Sequence, residues 1–317
     1  MLFFAFACAT NDLDDTAPGS ADTGDSADTA DRAGPDVYDL AAEVSSAEIE
    51  ATILDLEAFG TRYTHTDGDD GAADYLEARL SEYGLAVIRQ TFDVDGTPCE
   101  NVVAVQVGSV DPDETYVFSA HYDSTSNQPT TAAPGADDNA SGVAAVLEAA
   151  RLLSGRRLRA TAWFVLTAAE EQGSLGSLAL ADAMLDEGVD ARGVIAPDMI
   201  GYWPLGDGDA MDILGDEASQ PLVLSMAEVA DTLGVANKTW IEHDYCYGDD
   251  HTHFQDAGFP AISPMDCVEA HNLPRSGEDT PHYHRTSDTF DTLHLGFTTK
   301  VAQVTTVTFA TWVGLAE

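Results

Sequence analysis

Lysine is all but missing from this chain. Lys238 and Lys300 stand alone, and with arginine the basic total reaches only 13 against 56 acidic residues, a formal charge of −43 over 317 residues. Such a surface repels phosphate backbones and anionic lipid headgroups, which excludes nucleic acid and anionic membranes as main partners. It suits a solvated surface in saline surroundings, and it attracts cationic substrates and metal ions. Cysteine is scarce too. Cys8, Cys99, Cys246 and Cys267 form no C-x-x-C pair, which argues against a cysteine-built zinc site. Cys246 and Cys267 flank one loop region and can bridge in an exported protein, although sequence alone does not set that bond.

The apolar start, Met1 to Ala7, is too short to span a bilayer. It resembles the end of a secretion signal without its basic beginning. Small residues at Ala5 and Ala7 before Cys8 look like a lipoprotein processing site, so residues 1–8 are expected to be a signal remnant or processing site with a lipid anchor at Cys8. Residues 9–36 hold few large apolar side chains. Ser20 to Asp25 is nearly repeated as Ser26 to Asp31. A segment of this kind cannot bury a core and is expected to be a disordered acidic linker. The protein is therefore expected to be exported, either secreted or held at the cell envelope.

Globular composition begins at Val37, and residues 37–317 are expected to form one domain. Ser45 or Ser46 can cap a helix with Ile49, Ile53, Leu54 and Leu56 on its apolar side, ended by Gly60-Thr61-Arg62. Gly71 to Tyr83 reads as a second helix. Leu85–Phe92 and Asn101–Val107 read as strands around a turn at Gly96. Buried strands follow at Tyr116–Ala120 and Thr161–Thr167, a short strand at Gly193–Ala196 and a further strand at Pro260–Ser263, with another expected at Met211–Leu214. Helices are expected at Gly142–Leu153, Ser174–Leu185, Gln220–Leu233 and Leu295–Val313. Strands alternating with helices indicate an α/β sandwich with a largely parallel sheet.

The chain is organised around Pro134-Gly135-Ala136-Asp137-Asp138-Asn139-Ala140-Ser141-Gly142, where two adjacent carboxylates precede a helix. Taken alone, these are good helix-capping residues. Their company changes the reading. His121, Glu170-Glu171 and Asp198 each follow a strand-like run. In an open α/β sheet such positions converge beyond the carboxyl ends of the strands, and Asp138 reaches the same edge from its loop. Imidazole and carboxylate are ligands for zinc, and also for manganese or cobalt. Asp123, two residues after His121, faces the same side of an extended chain and suits a carboxylate that orients the imidazole. Its bland alternative is a turn residue.

Charge bookkeeping adds to this. Asp138, Glu171 and Asp198 carry three negative charges, which two divalent cations and one hydroxide balance, with one carboxylate shared. A bridged pair of cations can acidify a water and polarise a carbonyl. Adjacent residues cannot easily both face one metal, so Glu171 is expected to bind while Glu170 serves as general base.

The residues His121-Tyr122-Asp123, Pro134 to Gly142, Ala168-Ala169-Glu170-Glu171, Asp198-Met199 and His284-Arg285-Thr286-Ser287-Asp288-Thr289 together resemble the M28 family of co-catalytic zinc peptidases, above all its secreted bacterial leucyl-aminopeptidase branch. The resemblance covers roughly Val44 to the C-terminus. It implies a three-layer α/β/α sandwich with a mixed sheet of about eight strands. It implies two zinc ions, with His121 and Asp198 on one, Glu171 and His284 on the other, Asp138 bridging, and Glu170 as base. Asp137 is then a neighbour of the metals and not a ligand. His282 rivals His284, and alignment on Ser287-Asp288-Thr289 favours His284. His251 and His253 are expected to be structural or pocket-lining. Met199, Tyr245 and Tyr247 are candidates for the substrate pocket, with ordinary packing as the alternative. Departures from the branch around Cys246 and in the loop Asp266–Pro281 support a Cys246–Cys267 disulfide.

The resemblance implies a monomeric aminopeptidase acting on peptides. Another M28-type hydrolase or a glutaminyl cyclase is the enzymatic alternative. A non-catalytic binding module that kept the fold is the remaining one, and it is disfavoured because such modules typically lose ligands.

Overall fold

The computed structural model describes residues 36–203, 210–242, 249–266 and 280–316. The expectations placed on residues 1–35, on Tyr245, Cys246 and Tyr247, and on Cys267 lie outside the described residues.

Eight strands form a single sheet: β1 (Ala86–Val94), β2 (Thr97–Gln106), β3 (Asp111–His121), β4 (Ala160–Thr167), β5 (Asp190–Ile195), β6 (Met211–Gly215), β7 (Asn237–Ile241) and β8 (Ala261–Met265). Their order across the sheet is β1-β2-β4-β3-β5-β8-β6-β7. The pairings β3–β4, β3–β5, β5–β8 and β6–β7 are parallel, while β1–β2, β2–β4 and β6–β8 are antiparallel. The sheet is thus mixed, and its parallel block is the centre.

Strand alternation builds the layers. All eight positions of β4 are buried, as a strand covered on both faces requires. Ala162, Phe164 and Leu166 join one apolar cluster with the helices α1 (Asp36–Glu43), α2 (Ser46–Glu57), α3 (Asp67–Glu82), α4 (Gly142–Leu153), α6 (Gln220–Leu233) and α8 (Leu295–Val313). The intervening Trp163 and Val165 join a second cluster with Leu180, Ala181 and Met184 of α5 (Leu175–Glu187) and Phe254 of α7 (Asp250–Asp256). Side chains with period two therefore send the strand's bulk to opposite layers, giving an α/β/α sandwich. Among the described residues no helix is long and apolar enough to cross a membrane.

The ranges expected for α4, α6 and α8 coincide with those observed. In α2, Ile49, Ile53 and Leu56 are buried, but Leu54 is 41% exposed, because it falls well round the helix from the i, i+4, i+7 stripe of the other three. Helix α3 starts four residues before Gly71. Thr66 caps it by accepting from the Asp69 amide, and Asp67, Asp69 and Asp70 occupy its first turn, where acids favour the helix dipole. Three elements have no counterpart in the sequence reading. α1 opens at the edge of the acidic segment, β7 is a half-exposed edge strand paired only with β6, and α7 is seven residues long with Phe254 as its one large apolar side chain.

Candidate metal centre

The register of the central strands brings the scattered residues together. His121 ends β3 opposite Thr167, the last residue of β4. Phe118 lies opposite Ile195 at the end of β5, so His121 and Asp198, each three residues further on, leave the sheet at one level. Glu170 and Glu171 follow from β4 at the same edge.

Asp138 comes from the irregular segment Ala136–Ser141, in which Asp138 (φ −105°, ψ 90°) and Asn139 (φ −131°, ψ 46°) depart from helical geometry. It is not a helix cap. Asn139 locks the segment: its Nδ2 donates to the Pro197 carbonyl at 2.9 Å, and its Oδ1 accepts the Gly142 amide at 2.9 Å. A Cβ at Gly142 would lie 2.3 Å from that Oδ1 and 2.6 Å from the Pro197 oxygen, so only glycine lets α4 start here.

Five side chains meet. His121 Nε2 lies 3.3 Å from Asp198 Oδ1 and 3.3 Å from Asp138 Oδ1. His284 Nε2 lies 3.3 Å from Asp138 Oδ2 and 3.0 Å from Glu171 Oε2. Among the described residues, the triads whose donor atoms all lie within 4.8 Å are His121-Asp138-Asp198 and Asp138-Glu171-His284. They share Asp138. Donors about 2.0–2.1 Å from a tetrahedral zinc stand roughly 3.3 Å apart, so both triads have the spacing of a zinc ligand set. The buried Glu171 Oε1 has no hydrogen-bond partner, as expected of an oxygen whose partner is a cation. These donors fit a pair of divalent metals.

The electrostatics point the same way. Burial and the Asp138 charge raise Glu171 to a pKa of about 7, against the opposing pull of His284. Burial and Asp249 push Asp198 well above its ordinary value. Asp138 goes the opposite way: burial would raise it, but His121 and His284 hold it well below the usual carboxylate range. Without cations, too many anions share this site, and some take up protons to relieve it.

Hydrogen bonds hold each donor-bearing segment. His121 Nδ1 is 3.2 Å from the Asp123 carbonyl and 3.6 Å from the Asp123 carboxylate. A proton on Nδ1 leaves Nε2 free to bind a metal. The Asp123 carboxylate is engaged chiefly elsewhere, accepting the amides of Glu170 at 3.0 Å and Glu171 at 3.2 Å. The expected contact to the imidazole is mainly through the backbone, because the carboxylate is drawn to two nearer donors. Glu170 accepts from Ser174 Oγ at 2.8 Å. Burial raises its pKa well above normal, and the neighbouring Glu171 and Asp198 add to this against the opposing effect of His121.

Asp137 is in neither triad, and its Oδ1 accepts the Gly201 amide at 2.8 Å. His282 bonds Ser287 Oγ at 2.9 Å and is not in either triad. His251 is buried 3.4 Å from Asp249 Oδ2, and His253 sits on the half-exposed side of α7. Met199 is buried beside Asp198 with a left-handed φ of 51°.

Three contributors escaped the sequence reading. Tyr283 stacks on His284 with ring centres 3.7 Å apart, and the charges of Asp138, Glu171, Asp198 and Glu170 all reach its phenol. Asp288, used only as an alignment anchor, accepts the amides of Asp137 and Asp138 at 2.9 and 3.1 Å. Arg62, taken as a helix stop, is wholly buried. Its guanidinium donates to the carbonyls of Tyr122 (2.6 Å), Leu56 (3.2 Å), Pro134 (2.6 Å) and Gly135 (2.9 Å), joining the loop after His121 to the loop before Asp138.

The profile of Peptidase family M28 matches residues 101–308, a span that includes all five donors and Glu170. A probable zinc metalloprotease of Leptosphaeria maculans is 30% identical over 279 residues, which is 72% of this chain but 64% of that protein's length. Among solved structures, the Legionella pneumophila LapA aminopeptidase has a TM-score of 0.75 at 21% identity, covering 89% of this chain and 75% of its own. A Bacteroides thetaiotaomicron glutaminyl cyclase bound to N-acetylhistamine has a TM-score of 0.66 at 21% identity, covering 84% and 97%. At these identities the solved structures share the fold. The profile match spans most of the chain, and it establishes that the chain belongs to peptidase family M28, a family of zinc metallopeptidases.

Proposed function

We propose that this chain is an aminopeptidase that hydrolyses the N-terminal peptide bond of peptides with two zinc ions in the site; manganese or cobalt are chemically suited alternatives. The observation that carries the reading is Asp138, whose two oxygens each lie 3.3 Å from a different imidazole, so that one carboxylate belongs to both donor triads. His121 and Asp198 would hold one cation with it, and Glu171 and His284 would hold the other. A bound pair of zinc ions supplies Lewis acidity toward a water and a substrate carbonyl.

Glu170 is the base. Its amide is fixed by Asp123 and its carboxylate by Ser174, which holds a carboxylate beside the donors without using it as one of them, as a general base requires. It takes a proton from the attacking water and returns it to the leaving amine. Tyr283 stacks on His284, and burial beside these carboxylates keeps its phenol protonated, so it would be a neutral hydrogen-bond donor for a substrate carbonyl that reached it. The surplus of carboxylates favours a substrate with a protonated α-amine.

The test is hydrolysis of aminoacyl p-nitroanilides and of their N-acetylated counterparts by the zinc-loaded protein, with metal content measured alongside. Cleavage of the free-amine substrates alone, at close to two zinc ions per chain, supports the reading. Equal cleavage of blocked substrates removes the aminopeptidase assignment and leaves a metallohydrolase. The likeness to a glutaminyl cyclase gives a second reading. Ammonia release from N-terminal glutaminyl peptides without hydrolysis would favour it. We also propose export, on the strength of Met1–Cys8 and the acidic segment behind it, and fractionation of expressing cells tests this directly.

A further inference from the structure

Asp250 is a buried acid that belongs to neither donor triad. It is the first residue of α7 and is 1% exposed. Helix capping does not account for it, because the cap of α7 is Asp249, whose carboxylate accepts the Asp250 amide and the Ser263 hydroxyl. The Asp250 side chain reaches β4 instead, where its Oδ2 accepts from Thr167 Oγ1 at 2.6 Å. Among the described residues its Oδ1 is buried without a hydrogen-bond partner, which is costly for a carboxylate oxygen. Burial and the charge of Asp249 raise Asp250 to a pKa of about 6, against the opposing effects of His121, Thr167 and Ser177. A side chain kept at this cost, with no capping role, asks for another reason.

Its neighbours bracket the turn that carries Glu170. Thr167 ends β4, and Ser177 lies in the first turn of α5. Between them Ala169 and Ser174 take left-handed φ angles of 56° and 52°, which side-chain-bearing residues rarely adopt and which persist only where the surroundings over-determine them. Two clamps hold the backbone of this turn. Asn101 of β2 accepts the Ala168 amide at 2.9 Å and donates to the Gly176 carbonyl at 2.8 Å, and Asp123 takes the amides of Glu170 and Glu171. A line of hydroxyls then leads to the Glu170 side chain: Ser177 Oγ donates to the Ser174 carbonyl at 2.9 Å, and Ser174 Oγ donates to Glu170 Oε1 at 2.8 Å. Asp250 holds one end of the turn directly through Thr167 and acts on Ser177 at the other, so α7 and the Glu170 turn are tied together.

We propose that Asp250 is a positioning residue for Glu170: through the Thr167 hydroxyl it fixes the end of β4 from which the turn departs, and with it the aim of the Glu170 carboxylate. The proposal rests on the reading of Glu170 as the base. It makes the start of α7 part of the catalytic geometry, although Asp250 touches neither the attacking water nor the substrate.

Steady-state kinetics of the zinc-loaded full chain test it, on whichever of the substrates above the wild type accepts. Thr167→Val removes the hydroxyl and nearly keeps the shape. It should lower kcat by roughly 10–100-fold, the scale of a misaimed catalytic group, with KM and zinc per chain at their wild-type values. Thr167→Ser keeps the hydroxyl and should recover most of kcat. Asp250→Ala should cost a similar factor, and the double variant Thr167→Val/Asp250→Ala should be no slower than the slower single one, because both changes remove one contact. A merely structural role would lower Tm and zinc content together and would not separate kcat from KM. An unchanged kcat in Thr167→Val, a Thr167→Ser no faster than Thr167→Val, or losses that multiply in the double variant overturn the proposal. If Asp250→Ala does not fold, the two Thr167 variants decide. A wild type inactive on every substrate removes the reading of Glu170 and the proposal with it, whereas an active wild type matched by Thr167→Val removes the proposal alone.

Discussion

The Asp288 carboxylate grips the peptide that carries Asp138. One oxygen accepts the Asp138 amide at 3.1 Å, and the other accepts the Asp137 amide at 2.9 Å. Asp123 does the same on the opposite side of the site, with one oxygen on the amide of Glu170 and one on that of Glu171. Two buried carboxylates therefore set the backbone under two donor-bearing pairs, and Asp288 follows His284 by four residues, which couples the loops. Asp288→Ala leaves two buried amides without acceptors, at about 1–3 kcal/mol each. It should lower Tm and weaken zinc binding. Asp288→Asn keeps one acceptor oxygen and should fall between wild type and alanine in both thermal melts and zinc titrations.

Glu170→Gln removes the proposed base without removing a donor from either triad. Turnover should fall by ~10²–10⁴, while zinc per chain, measured by elemental analysis, stays at the wild-type value. A parallel loss of zinc would show that Glu170 holds metal.

His284→Ala dismantles one triad and leaves His121, Asp138 and Asp198 in place. Zinc content should drop from two to one per chain. Chelation should remove both ions and all activity, with recovery when zinc is restored.

Arg62 has no solvent contact and gives its donors to four carbonyls, and burial lowers its pKa to about 10 against the raising effect of Asp288, Asp123 and Asp138. Arg62→Met keeps much of the volume but strips those carbonyls of their donor and removes a cation from an acidic interior. A stability loss on the order of 3–5 kcal/mol is expected by denaturant unfolding, together with weaker zinc binding.

Acid should stabilise the metal-free protein relative to neutral pH. Glu171 and Asp69 are raised to about 7 and Asp250 to about 6, each chiefly by burial. A carboxyl whose folded pKa is raised binds its proton more tightly when folded, so its stabilising contribution is full below the unfolded value near 4. That contribution is lost as pH rises through 6 to 7. His284, raised to about 10 by Asp138 and Glu171 despite burial, extends the loss to higher pH. The chelated protein should therefore melt at lower temperature at pH 8 than at pH 5, and added zinc should raise Tm more at pH 8. A Tm that climbs with pH in the chelated protein would contradict the carboxylate assignments.

Much of this could be read from the chain itself. Helices α4, α6 and α8 declare themselves through apolar periodicity, and His121, Glu170-Glu171 and Asp198 declare themselves by following buried runs, because a strand that enters a parallel block must deliver its next residues to one edge. Periodicity could not report α7 or β7, where the apolar signal is a single Phe254 or a half-exposed edge. Nor could it report the roles of Arg62 or Asp288. Local sequence settles which segments are strand or helix and which side chains have the chemistry to bind metal. Only the folded chain decides that one oxygen of Asp138 faces each imidazole, or that Asp288 lies under Asp138 from 150 residues away, because those contacts depend on strand order, register and loop path, and no short-range pattern encodes distances across the sheet.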